Sequence, residues 1–178
     1  MTDAAAAGGV QGAAPARGAA LEASIILVIV ALDQVTKYVV RAEIPVHGSV
    51  PVVPGLLNIV HVRNTGAAFG FLNAVEFPYK AAVVALVATA ALVGIALYAA
   101  RMSSHQRLAR VGLALILGGA VGNLIDRLAL GSVVDFVDVI VAGWHFWAFN
   151  VADSAITLGV VAMLADMIGL DRHASRTV

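Results

Sequence analysis

The 178-residue sequence contains no cysteine. Disulfides, thiolate metal sites and a cysteine nucleophile are thereby excluded. Charge is scarce as well: Asp, Glu, Lys and Arg make up 12% of the chain, where an ordinary soluble domain carries roughly 25%. Neither sign dominates, because 11 basic and 11 acidic residues give a formal net charge of +0. A nucleic-acid-binding surface would show a basic patch, and none is present. There is no Gly-x-Ser-x-Gly elbow, and no Ser–His pair stands in suggestive context. His47, His61 and His145 lack metal-ligand spacing and read as surface histidines, so no metal and no cofactor is expected. What remains is apolar: 61% of residues are hydrophobic and the mean hydropathy is +0.93. A core of this size cannot hide so much apolar surface, so lipid is the expected solvent.

The apolar residues divide into four spans. Residues 1–20 are mostly Ala and Gly and read as a disordered cytoplasmic tail. A first helix is expected from about Ala23 to Val40. Asp33 and Lys37 interrupt it and no small-residue cleavage site follows, so it reads as a retained span rather than a signal peptide. Between Lys80 and Arg101 lie 20 residues without charge, enough to cross a bilayer core of about 30 Å. The third span runs from about Arg110 toward Asp126. Its 15 uncharged residues cover only about 22 Å of helix, so Asp126 and Arg127 lie near a boundary or face the protein interior. The fourth span runs from near Val151 to near Leu170, with Asp153 close to its start and Asp166 close to its end. The expected domain is 21–172, followed by a cytoplasmic tail, 173–178. Arg101, Arg107 and Arg110 in the short connection 101–110, with Arg172 and Arg176 at the C-terminus, set the orientation. Both termini are then cytoplasmic, and 41–79 and 126–150 face outward.

The outward segment 41–79 is broken into turns by Pro45, Gly48, Pro51, Pro54 and Gly55. Residues 57–64 alternate partially, carry β-branched side chains and read as a strand. The expected fold class is an all-α membrane protein: four transmembrane helices with a small extracytoplasmic β-sheet between helices 1 and 2. Gly118, Gly119 and Gly122 sit inside an apolar helix and read as close-packing positions, as do Gly94 and Gly159.

Against this background the polar residues stand out. Asp33, Lys37, Asn64, Asn123, Asp126, Arg127, Asp135, Asp138, Asn150 and Asp153 gather at the outward ends of the spans. Intramembrane ionisable groups are expensive and mark function. Taken singly, each has a plain structural explanation: Asp126 beside Arg127 can neutralise a helix end, and Asn150 with Asp153 can cap the fourth helix. Trp144, Phe146, Trp147 and Phe149 suit an aromatic belt at the membrane surface. Two carboxylates that meet share a proton; the ionised one can activate water and the protonated one can donate to a carbonyl. The residues alone do not choose that pair from among Asp33, Asp126, Asp135, Asp138 and Asp153. A proton or ion conductor and a non-enzymatic membrane anchor remain open. A conductor would spread its polar residues through the membrane depth.

Five stretches carry a resemblance. They are Asp33-Gln34-Val35-Thr36-Lys37, Arg63-Asn64-Thr65-Gly66-Ala67-Ala68-Phe69-Gly70, the run from Gly118 to Arg127, Val133-Val134-Asp135-Phe136, and Phe149-Asn150-Val151-Ala152-Asp153-Ser154. In this order they resemble the lipoprotein signal peptidase (signal peptidase II) family. The resemblance implies an aspartic endopeptidase of the bacterial inner membrane. It would remove the signal peptide from prolipoproteins, cutting before a cysteine that already carries a diacylglyceryl group. It implies Asp135 and Asp153 as the catalytic pair, with Asn64, Gly66, Asn123, Arg127 and Asn150 binding substrate. Asp33, Lys37 and Asp126 become supporting residues. Its partners would be the lipidated substrate, membrane lipid and globomycin-type inhibitors, with the chain acting as a monomer near the extracytoplasmic face. Segments 63–70 and 136–148 are candidates to cover such a site.

Overall fold

A computed structural model describes residues 14–66, 75, 77–103 and 105–174. The element order is α1 (Ala14–Glu43), β1 (Ser49–Val53), β2 (Leu57–Asn64), α2 (Lys80–Arg101), α3 (Arg107–Leu130), β3 (Val133–Val141), β4 (Trp144–His145) and α4 (Val151–Ala174). Among the described residues, four stretches are long and apolar enough to cross a membrane: Gly18–Glu43, Lys80–Arg101, Arg107–Leu130 and Val151–Gly169. Helix α1 begins at Ala14, so residues 14–20, read from sequence as unstructured, are helical; residues 1–13 lie outside the described residues. Alanine is the strongest helix former, and Pro15 falls in the first turn, where a proline costs no hydrogen bond.

Helix α3 is the centre of the bundle. Its buried residues Gly112, Ile116, Gly119, Asn123 and Asp126 follow a four-three spacing that aligns them on one face. Its glycines bring neighbouring backbones close. A Cβ at Gly119 would strike the Ala152 carbonyl oxygen of α4, and one at Gly118 would meet Ile29 Cβ of α1 at 3.0 Å. Helix α1 does the same from its side, burying Asp33, Lys37 and Val40 while Leu27, Val28, Leu32 and Val35 stay exposed for lipid. This close packing makes a prediction. Gly119→Ala should destabilise the protein by about 1–3 kcal/mol, the usual cost of overpacking. Gly94→Ala, where a Cβ meets nothing within 4 Å, should be neutral or slightly stabilising. Thermal unfolding in detergent separates the two.

The sheet is larger than the sequence suggests. Its order is β1-β2-β3-β4, all antiparallel. Among the described residues, only β1 and β2 lie between the first two helices. The other half comes from 133–145, between α3 and α4, where a near-continuous apolar run hides a strand buried on both faces. Gly131, left-handed at φ +70°, closes α3 by donating to Arg127 O at 3.1 Å. The chain reverses there into β3. Val134 and Phe136 then pack on Val40 at the end of α1. The segment 136–148 is therefore mostly paired strand and hairpin rather than a free covering loop. Of the other candidate cover, 63–70, residues 67–70 lie outside the described residues.

Candidate active site

The reversal at Gly131 delivers Asp135 to the junction of sheet and helices. Its two carboxyl oxygens accept from Asn64 Nδ2 of β2 at 3.1 Å and from Asn150 Nδ2 at 2.7 Å. Asp153 lies in the first turn of α4. It accepts from Asn123 Nδ2 of α3 at 2.8 Å and from Asn150 N at 3.3 Å, while its own N donates to Asn150 Oδ1 at 2.9 Å. The reciprocal pair between Asn150 and Asp153 is a capping box, which satisfies two orphan donors at the helix start. Asn150, fully buried, therefore holds both carboxyl groups, one through its amide nitrogen and the other through the cap.

A second layer holds this pair in place. Lys37 Nζ, fully buried, sits 2.8 Å from Asp33 Oδ2, 3.2 Å from Asp126 Oδ2 and 2.9 Å from Asn123 Oδ1. Asn123 thus presents its oxygen to the lysine and its nitrogen to Asp153. Asp33 Oδ1 accepts from Ala152 N at 3.0 Å, tying α1 to the start of α4, where the helix dipole favours an anion. Asp126 Oδ2 accepts from Val134 N at 3.0 Å, one residue before Asp135. Gln34 Nε2 joins the two acids, reaching Asp33 Oδ2 at 3.1 Å and Asp126 Oδ1 at 3.2 Å. On the other side, Arg127 Nη2 donates to Gly66 O at 3.1 Å, Gly66 N donates to Asn64 Oδ1 at 3.0 Å, and Asn64 turns its amide to Asp135.

Burial pushes the Asp135 carboxyl up to about 7. The charge of Asp153 contributes to that rise, against the lowering effect of the hydrogen bonds from Asn64 and Asn150 and of the Lys37 charge. Asp135 and Asp153 face a cavity of about 570 Å³. Its polar end carries Asn64, Asn123 and Arg127. Its long wall is apolar, built from α2 (Val83, Val87, Ala91) and from Phe146, Trp147 and Phe149. It is a largely apolar slot with two carboxyl groups on its wall.

The residues singled out from sequence converge: Asp33, Lys37, Asn64, Gly66, Asn123, Asp126, Arg127, Asp135, Asn150 and Asp153 form one hydrogen-bonded network. Asp138 does not join it. That side chain pairs with Asn58 and His145 and is absent from the cavity wall. Gln34 stands in the first of the matching stretches, but its bridge between Asp33 and Asp126 was not foreseen, because local spacing does not show which side chains it meets. His61, read as a surface residue, is buried, with Nδ1 2.7 Å from Ile44 O. It sits where β2 passes under the end of α1, a contact that local spacing does not reveal.

Fold and site together define a four-span membrane protein with a buried and a half-buried carboxyl group at one end of an apolar slot. The family model described as signal peptidase (SPase) II matches residues 25–169. The lipoprotein signal peptidase of Geobacter metallireducens is 45% identical over 152 residues, covering 85% of this chain and 93% of that one. That of Burkholderia multivorans is 44% identical over 161 residues, covering 90% and 95%. A bacterial membrane enzyme solved by the in meso method superposes with a TM-score of 0.75 at 32% identity, covering 89% of this chain and 92% of that one. The chain belongs to the signal peptidase II family, a family of proteases.

Proposed function

We propose that the protein is a membrane aspartic endopeptidase that removes the signal peptide from diacylglyceryl-modified prolipoproteins, cutting before the lipidated cysteine. One observation carries the reading: Asp135 and Asp153, brought together from a strand and a helix by Asn150, open onto a slot whose walls are apolar. Such a slot suits a substrate that is itself a membrane segment with a lipid anchor and arrives laterally. Asp135 and Asp153 share one proton. The ionised member takes a proton from water, which attacks the scissile carbonyl, and the protonated member donates to the carbonyl oxygen. The tetrahedral intermediate then collapses with cleavage of the C–N bond, the first carboxyl group passing its proton to the leaving amine and the second taking its proton back. Asn64, Gly66, Asn123, Arg127 and Asn150 hold the peptide against the pair, while Asp33, Lys37 and Asp126 fix the helices beneath it. Globomycin-type inhibitors would occupy the same slot. The arginines at 101–110 favour a cytoplasmic side for that connection and for both termini. The carboxyl pair then lies near the extracytoplasmic face of a bacterial inner membrane.

The test is cleavage by purified protein of a prolipoprotein with and without its diacylglyceryl group. Cleavage of the lipidated form alone, blocked by globomycin, supports the reading; inertness of well-folded protein toward both overturns it. The pH profile follows from Asp135. Since the mechanism needs one proton on the pair, kcat/KM should fall as pH rises through about 7, by about tenfold per unit on the alkaline side. That limb belongs to the pair rather than to one residue. A profile flat from pH 6 to 9 would contradict it.

A further inference from the structure

Asp138 is the one buried carboxyl of β3 that the mechanism does not use. Strands β2 and β3 carry two Asn–Asp pairs: Asn64 on Asp135, and Asn58 Nδ2 on Asp138 Oδ2 at 3.1 Å. The first pair is completed by Asn150. The second is completed by His145, whose Nδ1 lies 3.0 and 2.9 Å from the two oxygens of Asp138 and must be the donor to a carboxylate. The Asp138 side chain is only 10% exposed, so the contact is largely shielded on that side, while His145 is 61% exposed.

The residues after His145 form the aromatic wall of the slot. Phe146, Trp147 and Phe149 line it, locked edge to face with ring centroids 6.2 Å apart for Phe146–Trp147 and 6.3 Å for Phe146–Phe149. This return segment is weakly held by its own hairpin. Strand β4 has two residues, pairing Ile140 with His145 and Val141 with Trp144. The turn places Ala142 at φ 52 and Gly143 at φ 80. A two-residue turn with both positions left-handed favours Asn or Gly first, and alanine there is strained. Beyond the hairpin, Phe149 O accepts from both Phe136 N and Val137 N, a bulge in β3 directly after Asp135. Phe149 N donates in turn to Val137 O at 3.1 Å and Phe146 N to Val139 O at 2.8 Å, so the backbone of the wall is held on β3, and Asp138 through His145 adds the side-chain hold at its leading end.

We propose that Asp138 is a positioning residue that, by holding His145, fixes the return segment 144–149 and so sets the aromatic wall against which the substrate's apolar chain is seated. This rests on the peptidase reading for its kinetic consequence but not for its structural one. The two tryptophans of the chain, Trp144 and Trp147, both lie in the segment, so tryptophan fluorescence reports on it directly. In full-length protein in detergent, His145→Ala should increase acrylamide quenching of that fluorescence. It should raise KM for lipidated prolipoprotein about tenfold with kcat within about twofold, the pattern of lost uniform binding. His145→Asn, whose carboxamide can still donate to Asp138, should restore both. Ala142→Gly added to His145→Ala should recover part of each by relieving the turn. Unchanged quenching in His145→Ala, a loss of kcat at unchanged KM, or an asparagine variant indistinguishable from the alanine one would each overturn the proposal. So would loss of folding by both variants, which would make the pair purely structural. Wild-type protein that cleaves nothing defeats the peptidase reading alone; the fluorescence comparison still decides the clamp.

Discussion

Asp153→Asn is expected to lower kcat for lipidated prolipoprotein by about 10²–10⁴-fold, the range of a lost general acid–base group, and Asp135→Asn should do the same. The substitutions are nearly isosteric, so the helix start survives. At position 153 the new carboxamide oxygen can keep one of the two acceptor contacts made to Asn123 Nδ2 and Asn150 N, at a cost of about 1 kcal/mol for the weakened cap. Thermal unfolding should therefore shift little while turnover disappears. Because the two carboxyl groups act as one unit, the double variant should be scarcely slower than either single one. Asp166→Asn, at the far end of α4, should leave turnover unchanged. Cleavage that survives either dyad substitution would mean that another carboxyl acts, and Asp126, which holds Val134 N one residue before Asp135, would be tested next. A membrane anchor would tolerate both changes. A conductor is disfavoured by the way the buried polar groups gather at one end of the spans, around Asn123 and Asn150.

How much of this could be read beforehand differs between helices and sheet. The spans are legible because lipid imposes length and apolarity on consecutive residues, as in the uncharged run 81–100. The glycines of α3 are legible as packing positions for the same reason. Strand β3 is not. Its inner half is buried on both faces, and Val133-Val134-Asp135-Phe136 offers no alternation to mark it. Nor could spacing choose among five aspartates. Asp135 and Asp138 stand on the same strand, three residues apart, and what separates them is which asparagine or histidine arrives from elsewhere in the chain. Those partners lie 15 residues from Asp135 in the case of Asn150 and 80 residues from Asp138 in the case of Asn58. His61 shows the same limit from the other side, since a histidine in an outward strand gives no local sign that the end of α1 will cover it.

Lys37→Met is expected to be the most destabilising single change. Its ammonium group stands between Asp33 and Asp126, both 1% exposed or less, and Arg41 is the only other cation among the described residues in contact with Asp126, at 3.7 Å. Removing one partner of a buried ion pair leaves an uncompensated charge and costs about 3–5 kcal/mol. Here the methionine restores the volume, so the loss would be electrostatic rather than a cavity. Adding Asp33→Asn to Lys37→Met should return part of that stability, because the uncompensated charge goes with it. It should not return activity. Lys37 also holds Asn123 Oδ1 at 2.9 Å, and without it the carboxamide is free to rotate and present oxygen instead of nitrogen to Asp153. Unfolding in mixed micelles measures the first effect, and kcat at a temperature where the double variant is folded measures the second. If the double variant recovers both stability and turnover, Lys37 serves only to neutralise Asp33. If it recovers stability alone, the lysine also sets the face that Asn123 turns toward the carboxyl pair.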